Sequence, residues 1–143
     1  MVLDARRIVD RVRAAGVVIE GFGGKPPVSD AGIAFDGDEE AELDGESFVI
    51  RPALDDIPPW GTNEQGVVEM FCKTESFPYD LAVTAILLRC RLIAPDAFQV
   101  ASDGDWGDEW AQDATYPPTG MSTRGLVTEL FGECPAESPL TEF

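Results

Sequence analysis

The chain has 143 residues, with 27 acidic side chains against 10 basic ones, no histidine and a formal net charge of −17. Its length suits one domain of roughly 100–200 residues, and 44% apolar residues are enough for a packed core, which excludes a disordered acidic tail. That balance argues against direct binding to nucleic acid or to anionic membranes, which needs clustered Lys and Arg, and the lack of imidazole removes Ser-His-Asp and Cys-His catalysis and histidine metal sites.

Residues 4–15 read as a helix. Asp4 suits the N-cap, Leu3 and Ile8 have hydrophobic-staple spacing, and Gly16 is placed to end the helix. Ala5, Ile8, Val9, Val12 and Ala15 form an apolar stripe, with Arg6, Arg7, Arg11 and Arg13 on the other side. A basic face of this kind is a solvated surface or a partner site. Val17 to Phe22 is a β-branched run ended by Gly23-Gly24-Lys25-Pro26-Pro27. Residues 32–35 and 47–51 read as two short strands.

Between those strands lies an acidic loop with seven acids in residues 36–46: Asp36, Asp38, Glu39, Glu40, Glu42, Asp44 and Glu46. Glycines near both of its ends suit turns. Residues 52–66 read as a loop in which Trp60 follows a proline pair, and residues 66–73 read as a central strand. Pro78 fits the first turn of a long helix over about 78–92, with Asp80 near its positive end. That helix is apolar nearly all round, so it is expected to be buried. Residues 98–101 supply another strand, and 103–113 form a second acidic loop carrying Trp106 and Trp110. A short helix over 123–131, stopped by Gly132, leads into a loose tail at 134–143.

The expected fold is α+β. Residues 1–133 form a single domain whose mostly antiparallel sheet of about five short strands packs on the long apolar helix. Cys72, Cys90 and Cys134 are odd in number and widely spaced, which points to reduced thiols in place of disulfides or a zinc site. The N-terminal stretch Met1 to Arg7 becomes charged at once and shows no signal peptide. The longest apolar stretch, Leu81 to Leu88, is far below the roughly 20 residues of a membrane span. A cytoplasmic protein is expected.

Catalytic chemistry finds little support. Asp103-Gly104-Asp105-Trp106-Gly107-Asp108 opens like a calcium loop, but Asp108 stands where Gly is needed and Ala114 where Glu is needed. Counting from Asp36, the same two positions are Ala41 and Ser47. Phosphate-loop, dinucleotide and nucleophile-elbow motifs do not occur, and the apolar runs around Cys72 and Cys90 would raise a thiol pKa. The expectation is a protein that is not an enzyme, with no cofactor and no metal.

Lys73-Thr74 followed by Pro78-Tyr79-Asp80, and then Ser102-Asp103-Gly104 with Trp106, make a K-T-x-x-x-P-Y-D … S-D-G-x-W pattern. Over residues 70–131 the chain resembles small acidic proteins of actinobacteria and their phages, a group to which no activity is attached. Two lysines against eight arginines agree with a GC-rich source. The resemblance implies a phage or prophage accessory protein.

Charge is uneven along the chain. Residues 1–25 carry five basic and three acidic groups, and residues 26–143 carry five basic and 24 acidic ones. The leading expectation is a binding protein that engages a basic protein partner through Asp36, Asp38, Glu39, Glu40, Glu42, Asp44 and Glu46 with Asp103, Asp105, Trp106, Asp108, Glu109 and Trp110. It would act as an inhibitor mimicking nucleic-acid charge. The two tryptophans either join that interface or lock their loop onto the core. One alternative is a virion part (head, neck or tail) that self-associates through its basic helix and acidic body. Another is an acidic surface that serves only solubility or salt adaptation.

Overall fold

The computed structural model describes residues 1–51, 63–65 and 67–142. They form a single α+β domain with three helices and a four-stranded antiparallel sheet. The loop expected over 52–66, with Trp60, lies outside the described residues except at 63–65.

The first helix, α1 (Val2–Ala14), buries Ala5, Ile8, Val9 and Val12 of the predicted stripe, while Ala15 falls just past the helix end and is exposed. The Ile and Val side chains each contribute roughly 1.5–3 kcal/mol by leaving water. Its start differs from expectation. Asp4 lies inside the first turn, and Leu3 is 70% exposed, so no staple forms. The Asp4 carboxylate instead accepts a hydrogen bond from Arg89 Nε at 2.8 Å, a long-range contact that spacing alone does not show. Gly16, at φ 96°, turns the chain after the helix.

Of the 17–22 run only β1 (Glu20–Gly21) joins the sheet; Val17 and Ile19 ahead of it are buried in the core, and a tight turn at Phe22–Gly24 follows. It returns as β2 (Val28–Ser29), a strand not anticipated so soon after two prolines. β3 (Gly32–Asp36) and β4 (Phe48–Ile50) appear where expected. β3 pairs with all three others: Gly21 opposite Phe35, Val28 opposite Ile33, and Ile33, Ala34 and Phe35 opposite Ile50, Val49 and Phe48. β4 overlaps both β1 and β2 along β3, so those two share one edge end to end and β4 takes the other. Ile33 and Phe35 alternate inward with Phe48, whose ring lies 5.3 Å from that of Phe35.

Two expected strands do not form among the described residues. Residues 67–73 contribute no strand to the sheet; Phe71 is 81% exposed, and Val67 and Met70 are also exposed. Continuous apolar character needs cover on both faces, and here only Val68 and Cys72 are half-buried. Residues 98–101 are also irregular; Val100 is buried, and its carbonyl accepts from Thr141 N at 2.8 Å.

The long helix α2 (Asp80–Ile93) buries Leu81, Ala82, Val83, Ala85, Ile86, Leu88 and Cys90. Its broad apolar surface is occupied by α1 and by α3 (Thr123–Phe131). The more extensive helix contact with the strands is made by α1, against β2 and β3, and not by α2 as expected. Gly132 ends α3 in the left-handed conformation, as anticipated. The stretch expected as a loose tail carries contacts of its own. Leu140 packs on the core, and the carbonyls of Ala136 and Pro139 accept from Trp106 Nε1 and Arg91 Nε. Among the described residues, no helix is long and apolar enough to cross a membrane.

Candidate functional site

The β3–β4 connection is the first acidic loop, and three of its seven acids, Asp36, Asp38 and Glu46, are used to build it. Asp36 accepts from Gly37 N at 2.7 Å, Gly45 N at 3.2 Å and Ser47 Oγ at 3.0 Å, which draws the two ends of the loop together. Glu46 N donates to Lys73 O at 2.9 Å, and Glu46 Oε2 accepts from Lys73 N at 2.8 Å. Gly37 and Gly45 are required for space. A Cβ at Gly37 would lie 2.6 Å from the Tyr79 ring, and one at Gly45 would lie 2.6 Å from its hydroxyl.

The tip is a tight turn. Asp38 Oδ1 accepts from Ala41 N at 3.2 Å, Asp38 O from Leu43 N at 2.8 Å, and Glu42 sits at φ 58°. The turn leaves Glu39, Glu40 and Glu42 exposed, with Asp44 half-buried.

The second loop is organised from inside by its tryptophans. Trp106 and Trp110 are buried, at 8% and 3% exposure, with ring centroids 6.0 Å apart. Trp106 Nε1 donates to Ala136 O, Trp110 Nε1 donates to Ser102 Oγ, and the Arg124 guanidinium lies 4.5 Å over the Trp106 ring. Of the two roles open to these rings, the structure shows them locking the loop onto the core. Asp103, Asp105, Asp108 and Glu109 remain at the surface. Asp105 Oδ1 accepts from Gly107 N and Glu109 Oε2 from Asp105 N, at 2.8 and 2.7 Å.

A polar seam runs between the first loop and the start of α2. Tyr79 OH donates to Glu46 O at 2.7 Å, Cys72 Sγ donates to the same carbonyl at 3.3 Å, and Thr74 Oγ1 donates to Asp80 Oδ1 at 2.6 Å. Burial pushes the Cys72 thiol up to about 12, reinforced by Glu46, Asp80 and Asp36. Burial also raises Tyr79, with Cys72 and Asp36 adding to the effect. The Asp80 carboxyl is held above its usual range by desolvation, which outweighs the Thr74 hydrogen bond; Asp103 raises it further. These thiol and phenol groups are therefore protonated near neutrality and poor nucleophiles. Among the described residues, no three His, Cys, Asp or Glu side chains are grouped to hold a metal ion.

Ion pairing separates the loops from the rest of the surface. Among the described residues the ion pairs are Arg11–Glu129 at 2.7 Å and Arg89–Asp4 at 2.8 Å, and neither reaches an acidic loop. Three of the four arginines of α1, Arg7, Arg11 and Arg13, bond within their own domain. Arg7 donates to Leu130 O and lies 5.0 Å over the Phe131 ring, and Arg13 donates to Ile19 O. Arg6 stays exposed.

Two features escape sequence reading. Asp113 draws in the chain ahead of α3. Desolvation works to raise its carboxyl, but hydrogen bonds from Gly120 N, Thr115 Oγ1 and Thr119 N together hold it below the usual range. Beside the first acidic loop is a half-open cleft of about 190 Å³, walled by residues 15–18, Asp38, Leu43, Tyr79 and the Pro117-Pro118 pair. Its walls come from four separated stretches, so only folding reveals it. No family model, curated protein or solved structure matches the chain.

Proposed function

We propose that this is a non-enzymatic accessory protein of the phage or prophage type, which binds a basic protein partner through its two acidic loops. It competes there with nucleic acid for a groove lined by Arg and Lys. The observation that carries this reading is the set of outward carboxylates at Glu39, Glu40, Glu42, Asp103, Asp105, Asp108 and Glu109, to which no ion pair reaches from the described residues. Closely spaced unneutralised carboxylates raise the local negative potential, steer a cationic surface and favour exchange of its bound phosphates. Asp36 and Glu46 hold the first loop in shape, and Trp106 and Trp110 hold the second. A partner therefore meets carboxylates on a fixed frame, not exposed aromatic rings.

The resemblance over residues 70–131 supports an actinobacterial host as the source of the partner. The test is affinity capture from such a lysate at low salt, with the native protein and with a variant carrying Glu39→Gln, Glu40→Gln, Glu42→Gln, Asp103→Asn and Asp108→Asn. The native protein is expected to retain a basic protein that the variant does not, and to displace nucleic acid from it. Equal retention by the two, or retention without displacement, would refute the reading.

A further inference from the structure

The cleft beside the first acidic loop has a composition that selects its occupant. Val17, Val18, Leu43, Pro117 and Pro118 give it apolar walls, Asp38 is the one charged residue that lines it, and no basic residue does. Its volume of about 190 Å³ is below the roughly 300–1,000 Å³ of small-molecule and cofactor sites, which leaves room for a single extended side chain. A long cationic side chain matches both parts, with its methylenes along the apolar walls and its charge at the carboxylate.

The carboxylate further distinguishes lysine from arginine. Asp38 Oδ1 is engaged by Ala41 N at 3.2 Å, and Oδ2 has no hydrogen-bond partner among the described residues. One free oxygen suits a compact ammonium, whereas a guanidinium gains most from a carboxylate with both oxygens available. Glu39, Glu40 and Glu42 on the adjoining turn add a potential that draws a cation toward this rim.

We infer that the cleft between the β3–β4 loop and the Pro117-Pro118 segment is a lysine-binding pocket, in which Asp38 receives the ammonium of a partner's lysine. The inference rests on the proposed binding of a basic partner and assigns that partner's anchoring residue. The acidic tip then supplies attraction at long range, and the pocket supplies register.

The probe is a short peptide of alternating lysine and serine, titrated into the isotopically labelled full chain at low salt and followed by amide NMR shifts. Shifts are expected at Val17, Val18, Leu43 and Thr119. Asp38→Asn should weaken the peptide by roughly fivefold. Val18→Trp, at a partly exposed wall position, should fill the cleft and abolish those shifts while leaving the fold intact. The arginine and acetyl-lysine versions of the peptide should not shift the cleft residues; equal shifts with either would overturn the assignment. Peptide binding confined to residues 39–42 and 103–109, and unchanged by Val18→Trp, would overturn the pocket and leave the acidic-loop reading standing. Failure of the lysine peptide to bind the native protein at all would overturn both.

Discussion

Asp80 shows how a single side chain ties the molecule together at a cost. It opens α2 with a largely desolvated carboxylate whose hydrogen-bond donor is the Thr74 hydroxyl, 2.6 Å away. Because its pKa is raised on folding, the folded chain holds this proton more tightly than the unfolded chain does. The resulting stability is fully present below the ordinary carboxylate pKa and is lost as pH rises through the raised value. Thr74→Val should therefore cost about 1–3 kcal/mol in urea unfolding at neutral pH, where a buried carboxylate loses its donor. The loss should shrink in acid as Asp80 takes up its proton, and a loss independent of pH would contradict this account. Asp80→Asn should flatten the same stretch of the stability–pH curve. The position of Asp80 at a helix start was legible from Pro78-Tyr79-Asp80. Its bond to Thr74 was not, because it depends on a turn in which Glu75 and Ser76 both take positive φ, 55° and 60°. Such conformations cost of order 1–3 kcal/mol each for non-glycine residues, and residue type gives no sign of them.

Periodicity located the elements better than it located their contacts. All three helices and the β3 and β4 strands were legible, since each carries its own stripe or alternation. The 67–73 and 98–101 segments misled because apolar content is needed for a strand but does not guarantee a continuous ladder. The grip among the helices was equally hidden. Arg89 joins Asp4 on α1 and lies 4.1 Å over the Phe131 ring of α3, while Arg7 approaches the same ring from α1. This half-buried arrangement connects all three helices through one guanidinium and one ring. Arg89→Met should cost roughly 1–2 kcal/mol, with a coupling of about 1 kcal/mol to Asp4→Asn in a double-mutant cycle. Additive single effects would show that the pair is incidental. The same contacts bear on assembly, because Arg7, Arg11 and Arg13 are engaged within the domain and are less available for head-to-tail association.

At the scale of the whole molecule, a net charge of −17 is an internal repulsion as well as a surface property. Raising KCl should lift the thermal midpoint as the Debye length falls from about 10 Å at 0.1 M to about 3 Å at 1 M. A midpoint that ignores salt would mean that the acidic body is not self-repelling and would remove salt adaptation as the reason for its charge. Both acidic loops were legible in the composition, but their internal division of labour was not. Asp36, Asp38, Glu46, Asp105 and Glu109 hold backbone amides, Trp106 and Trp110 face the core, and the exposed carboxylates carry the proposed function. The most direct test is the salt dependence of affinity for the captured partner, measured for the native protein and for the five-site loop variant. The account predicts affinity that falls linearly with salt on a log–log plot, with a clearly shallower slope for the variant. Equal slopes for the two proteins, or an affinity insensitive to salt, would contradict it.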